Sequence, residues 1–206
     1  MKKWIVMSLL AVSVMMFAVG CDNSSANTNT EVTESQDEDE NSDEDEDADE
    51  VVIEDTDAVT VLQNIWDEMA EEGKFPCFGG SIESSVDGAP GEVATSDENM
   101  LTNTLLVPED VQGSAVEVAS LVHMMNTNTF TGASIKLDGI SASDAADKIK
   151  DNFMNTQFVC GIPEKISIAV YGDYVVYAYG DGVIVDDFMS GISALNGAEI
   201  VVDQKY

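Results

Sequence analysis

The sequence predicts an α+β domain in the order helix-β-β-helix-β-β-helix, with helices packed on a mainly antiparallel sheet. Three observations carry that expectation. Val59, Leu62, Ile65, Trp66 and Met69 recur at three- and four-residue spacing, as do Ala145, Ala146, Ile149 and Phe153, so each set lines one face of a helix. Ile166–Tyr171 and Tyr174–Tyr179 are β-branched and aromatic runs separated by Gly172-Asp173, a two-residue hairpin signal. Two further apolar runs flank the polar stretch Asn126-Thr127-Asn128-Thr129 and read as a second antiparallel pair.

In chain order, Thr56 or Asp57 can cap a first helix that runs to about Glu72, with Gly73 suited to stop it. Phe75-Pro76-Cys77 turns the chain. Residues 78–99 are rich in Gly, Ser and acid and read as a long loop with room for short strands, the place where binding specificity is expected. Thr104–Val107 reads as a short strand ended by Pro108, and Glu109-Asp110-Val111 as a turn. Val116–Met125 is a strand with Val116, Val118 and Val122 inward, and its partner runs over Ala133–Leu137. Ser141 or Ser143 caps the middle helix, which reaches about Thr156 with Asp144, Lys148 and Asp151 outward. Gly161-Ile162-Pro163 breaks it. After the hairpin, Val183–Leu195 forms the last helix, Asn196-Gly197 stops it, and Glu199–Val202 adds an edge strand.

The N-terminus has a different character. Lys2 and Lys3 precede an apolar run from Trp4 to Val19, and Ala18-Val19-Gly20 stand before Cys21. A basic start, an apolar stretch and small residues before a break match a secretory signal over residues 1–20. The run nears the roughly 20 residues of a minimal membrane span, so an uncleaved helix and a plain secretory signal are the competing readings. Ala18-Val19-Gly20-Cys21 resembles a bacterial lipobox, with Ala18 where Leu is usual. That resemblance implies a diacylglyceryl group on Cys21, cleavage before it, and a protein held on the extracytoplasmic face of the cell membrane. Two acyl chains hold a protein stably, each buried methylene contributing ~0.8 kcal/mol.

Residues 21–55 follow as an acidic tether. From Asp22 to Asp55 there are 16 acids and no base, with few large apolar residues. Such a segment buries too little to offset its ordering entropy, and its self-repulsion favours an extended chain. Asp43, Asp45, Asp47, Asp49 and Glu54 fall in an EF-hand-like register, but Ala48 stands at the turn position and any run this acidic would match. Residues 56–206 are then a single domain.

Composition excludes some functions. The chain has 40 acids against eight lysines, no arginine and a net charge of -32. Nucleic-acid binding, which needs cations against phosphates, is not expected. Adhesion to anionic lipid through charge is equally disfavoured, so membrane attachment falls to the lipid.

Candidate chemistry is sparse. Cys77 and Cys160 are the cysteines left after Cys21, each beside a turn, and outside the cytoplasm a disulfide between them can persist. His123, the single histidine, lies in an apolar strand; pairing it with either cysteine as a nucleophile and base is conceivable, but no signature surrounds them. One histidine and two distant cysteines do not supply a zinc site, and no metal or cofactor is expected beyond the diacylglycerol. Tyr171, Tyr174, Tyr177 and Tyr179 cluster in the hairpin, with Tyr177 and Tyr179 on one face; packing under helices is the plainer reading, and an exposed aromatic face for peptide or sugar the alternative.

Four short pieces carry a family resemblance: Phe75-Pro76, Val122-His123-Met124-Met125-Asn126, Ala145–Ile149, and Gly172-Asp173-Tyr174-Val175-Val176-Tyr177-Ala178. With these the region from about Asp57 to Leu195 resembles small lipoproteins with a domain of unknown function, of the kind common in clostridial-type Gram-positive bacteria. The resemblance implies fold and location and no catalytic residue. The expected role is a non-enzymatic, membrane-anchored domain that engages another envelope protein. A ligand-binding lipoprotein serving a transporter and, behind it, an envelope hydrolase are the alternatives.

Overall fold

A computed structural model describes residues 56–206. The expected signal, Cys21, the tether and its EF-hand-like register lie outside the described residues. Residues 56–206 form an α+β fold. Its helices are α1 (Ala58–Glu68), α2 (Glu109–Gln112), α3 (Ala142–Asn155) and α4 (Gly182–Ser190). Its strands are β1 (Cys77–Gly79), β2 (Val86–Asp87), β3 (Gly91–Glu92), β4 (Ala115–His123), β5 (Phe130–Leu137), β6 (Lys165–Tyr171), β7 (Tyr174–Gly180) and β8 (Glu199–Lys205).

All pair antiparallel in one sheet, in the order β2-β1-β4-β5-β7-β6-β8, with β3 also on β4. The hairpin of β6 and β7 turns at Gly172, whose φ of 53° is the left-handed value that a two-residue hairpin loop asks of its first position. The sheet is covered on both faces. Val118, Val122, Ile135, Ile168, Val175, Tyr177 and Tyr179 pack with α3 and the 100–111 segment. Ala119, Leu121, Phe130, Tyr174, Val176 and Ala178 pack with α1 and α4. Every residue of β7 is therefore buried, and the alternation of an open antiparallel sheet is lost from the central strands.

The middle helix forms as its pattern predicts: Ser141 accepts the Asp144 N–H at the cap, and Ala145, Ala146, Ile149 and Phe153 are buried. Asp57 caps α1 by accepting the Thr60 N–H. The buried stripe of α1 is Ala58, Val61, Leu62, Ile65 and Trp66, with Val59 at its margin.

Several boundaries correct the sequence reading. α1 ends at Glu68; Met69 turns into extended backbone, and Glu71–Gly73 is a separate 3-10 turn. Asp67, Glu68, Glu71 and Glu72 would have set four carboxylates at the negative end of the helix dipole. Thr104–Val107 is not a strand. Met100–Thr104 is a π-helical turn, and Leu105, Leu106 and Val107 are buried irregular chain, Leu106 with φ 57°. Hydrogen bonds replace the missing ladder: Tyr177 donates to Leu105 O at 2.7 Å, Tyr179 to Thr104 O, and the Asn152 side chain to Leu106 O at 2.7 Å. A short apolar run cannot by itself tell a strand from buried coil.

Val116 is exposed because the β4–β5 register shifts between Ala115 and Glu117. The 78–99 loop supplies β2 and β3 and the end of β1. The last helix stops at Ser190 and tightens to 3-10 geometry over Gly191–Ala194, where Gly191 presses on the α1 backbone. The edge strand β8 continues to Lys205.

Candidate functional site

The strands give the sheet two distinct ends. At one end the chain joins the domain. Tyr174 of β7 donates its hydroxyl to Thr56 O, and the Ala58 N–H donates to Glu117 Oε2 of β4 at 3.1 Å. Lys136 of β5 donates to the other Glu117 oxygen at 3.4 Å and lies 5.5 Å from the Tyr174 ring centre. Three adjacent strands thus pin residues 56–58. A cleft of about 230 Å³ opens here between Asp57, Glu92 and Glu117, but the Glu117 carboxylate is already held by the α1 backbone and Lys136.

The opposite end is built from three loops: 124–129 between β4 and β5, 156–164 between α3 and β6, and the junction of β7 with α4. Asn128 ties the first two, donating from one amide nitrogen to Cys160 O at 2.8 Å and Gly161 O at 2.9 Å. Gly161, with φ 84°, sits against the Asn126 side chain. Asp181 N–H donates to Thr129 O, joining the third loop. Gly180 comes so close there that a Cβ would lie 2.2 Å from Thr129 O.

This end carries the two most exposed large apolar side chains of the described residues, Val159 and Met125, and others beside them. Met125 is 87% exposed, Val159 92%, and Ile162 and Val183 68% each, with Met124 beside them. Scattered apolar residues are ordinary on a surface, but several on adjoining elements make this end the candidate contact surface. Methionine adds adaptability through its unbranched, polarizable chain.

Beneath lies an aromatic stack. Phe75 meets His123 with ring centres 5.3 Å apart and packs on Trp66 at 5.2 Å and Phe130 at 4.9 Å. The His123 Nδ1 accepts the Met125 N–H at 3.2 Å, and Met124 N–H donates to Pro76 O at 2.9 Å. The turn that projects Met125 is therefore held by both His123 and the Phe75-Pro76 segment.

Beside Val183, a cleft of about 440 Å³ is lined by Glu164, Lys165, Gly182, Val183, Asp186 and Lys205. Lys165 is buried and donates to Asp186 at 2.6 Å and Asp203 at 2.5 Å, which joins α4 to β8. Burial opposes its charge, yet these two hydrogen bonds and the carboxylate charges hold its pKa above the ordinary lysine value. Glu164 accepts the Gly182 N–H at 3.1 Å.

Cys77 and His123 are direct cross-strand partners in β1 and β4. Burial pushes the Cys77 thiol up to about 11, which keeps it protonated and unreactive, the reverse of an activated nucleophile. Cys77 and Cys160 are both free thiols in this structure. Cys77 is buried among the residues under α1, whereas Cys160 is exposed in the loop that follows α3, the helix of the opposite face. Tyr174, Tyr177 and Tyr179 are fully buried and Tyr171 packs at the margin of the α1 face, so they form no exposed aromatic face. Among the described residues, no three His, Cys, Asp or Glu side chains are grouped to hold a metal ion. Nor is any described helix long and apolar enough to cross a membrane.

The sequence reading expected binding specificity in the 78–99 loop and did not single out Met125, Val159 or Ile162. The available signal was Val159-Cys160-Gly161-Ile162, apolar residues with no helical or strand period beside a breaker. Comparison with protein-family models, with curated proteins and with solved structures returned no match.

Proposed function

We propose that this protein is an extracytoplasmic lipoprotein, anchored through Cys21, whose domain binds an envelope protein through the loop end and acts without catalysis. The observation that carries the reading is the separation of the two ends. Residues 56–58 are held beside Glu117, Lys136 and Tyr174, while Met125 follows the far end of β4 and Ile162 precedes the neighbouring β6 at that same far end. Eight residues of β5 span about 24 Å between them. Thr56 thus lies at the end of the sheet away from Met125 and Ile162. The lipobox-like Ala18–Cys21 and the family resemblance support the anchor. The protonated Cys77 thiol supports a non-catalytic role, and the internally paired Lys165 and Glu164 support a protein partner over a small molecule.

The test is site-specific photocrosslinking in the protein's own cells, with the crosslinking residue at position 125 or at exposed Asp173 of the β6–β7 turn. The expected result is one dominant protein adduct from 125 and none from 173. A Cys21→Ser companion should move the protein off membranes or leave it unprocessed. Equal adducts from both positions would refute the docking face, and normal processing with unchanged membrane retention would refute the anchor.

A further inference from the structure

We infer that the partner offers the loop end a cationic amphipathic helix; the inference rests on the docking face proposed above. Two observations set that chemistry. The contact residues are knobs, Met125, Val159 and Ile162 on loops and Val183 in the first turn of α4, with no backbone row to extend. The long open strand edge, β8, lies along the side of the sheet. It is blunted by the register shift at Ile168/Ala169 and by Glu199, Asp203 and Lys205, as protected edges are. Recognition here therefore runs through side chains, which an amphipathic helix presents as apolar anchors one or two turns apart.

The second observation is charge. Residues 56–206 carry 24 carboxylates against six lysines. Glu164, Asp181 and Asp186 stand beside Val183, and one turn further along α4 Asp187 lines a cleft with Glu72, which follows Glu71 in the chain. The lysines at this end are Lys74, Lys165 and Lys205, three against these six carboxylates; Lys74 pairs with Glu71, and Lys165 with Asp186 and Asp203. An apolar patch with methionines inside an acidic field complements a helix with one apolar face and lysine or arginine on the other. The same field repels anionic lipid surfaces.

The experiment titrates an 18-residue Leu/Lys amphipathic peptide with residues 21–206 carrying Cys21→Ser, read by fluorescence anisotropy. Controls are a Leu/Glu peptide of the same pattern and a Leu/Lys peptide shuffled to destroy the apolar face. Binding of the patterned Leu/Lys peptide alone is expected, weakened about tenfold by Met125→Ser with Ile162→Ser. Both substituted side chains are exposed, and an unchanged thermal unfolding curve confirms the fold of the variant. No binding, equal binding of the shuffled peptide, or no effect of the double variant overturns the inference. So does Met125-dependent cosedimentation with phosphatidylcholine vesicles that exceeds peptide binding, which would make the occupant a lipid surface. If crosslinking from position 125 succeeds while the peptide fails, the docking face stands and only this partner chemistry falls.

Discussion

Three tyrosine hydroxyls hold the chain's irregular segments against the sheet. Tyr177 and Tyr179 bind the carbonyls of Leu105 and Thr104, and Tyr174 binds that of Thr56. The cost is burial of ionisable groups. Burial raises the Tyr177 hydroxyl well above the usual tyrosine value, and pushes Tyr179 up to about 12. The unfolded chain, with ordinary values near 10, gives up these protons first. Their contribution is therefore complete below pH 10 and is lost as pH rises toward about 12. Urea unfolding across that range should show falling stability together with late appearance of tyrosinate absorbance, and Tyr179→Phe should shrink the alkaline loss. Constant stability to pH 12 would mean that the hydroxyls are open to water.

Among the elements, the sheet edge beside β4 depends on two glycines. β1 pairs with His123 and Val122, β3 with Ser120 and Ala119, and the two short strands meet at Gly79 and Gly91. A Cβ on Gly79 would lie 2.1 Å from Gly91 N and 2.4 Å from Ser120 O, both backbone atoms that cannot swing aside. Gly79→Ala should lower stability by about 3 kcal/mol, measured in urea, and open Cys77 to thiol reagents. Wild-type stability with a shielded Cys77 would contradict the close approach. These strands were hard to read from sequence because two or three residues carry no period, and the pairing with β4 comes from partners 27 to 46 positions away. The middle helix was legible because Ala145, Ala146, Ile149 and Phe153 face one layer and Asp144, Lys148 and Asp151 face water. The 104–107 error has the opposite cause: Leu105-Leu106-Val107 has a strand's composition, while tertiary hydrogen bonds from β7 and α3 fix its shape.

The whole domain is polar in the geometric sense, with residues 56–58 pinned at one end and exposed apolar side chains at the other. The sequence showed the hairpin and helices that create the two ends. It could not show that loops 124–129 and 156–164 meet, because Asn128 reaches Cys160 and Gly161 only after β5 and β6 take their places around β7. Net charge acts at this scale too. Acidic throughout, the domain repels copies of itself and anionic surfaces, and favours partners that bring positive charge. The most direct test of the account is labelling of intact cells with a membrane-impermeant maleimide. A single exposed cysteine is placed at Met125 or at Asp173 in a Cys160→Ser background, with Cys77 left in the core. The account predicts that Met125→Cys is shielded in cells yet labelled in the purified protein, while Asp173→Cys is labelled in both; equal labelling of the two positions in cells would contradict it.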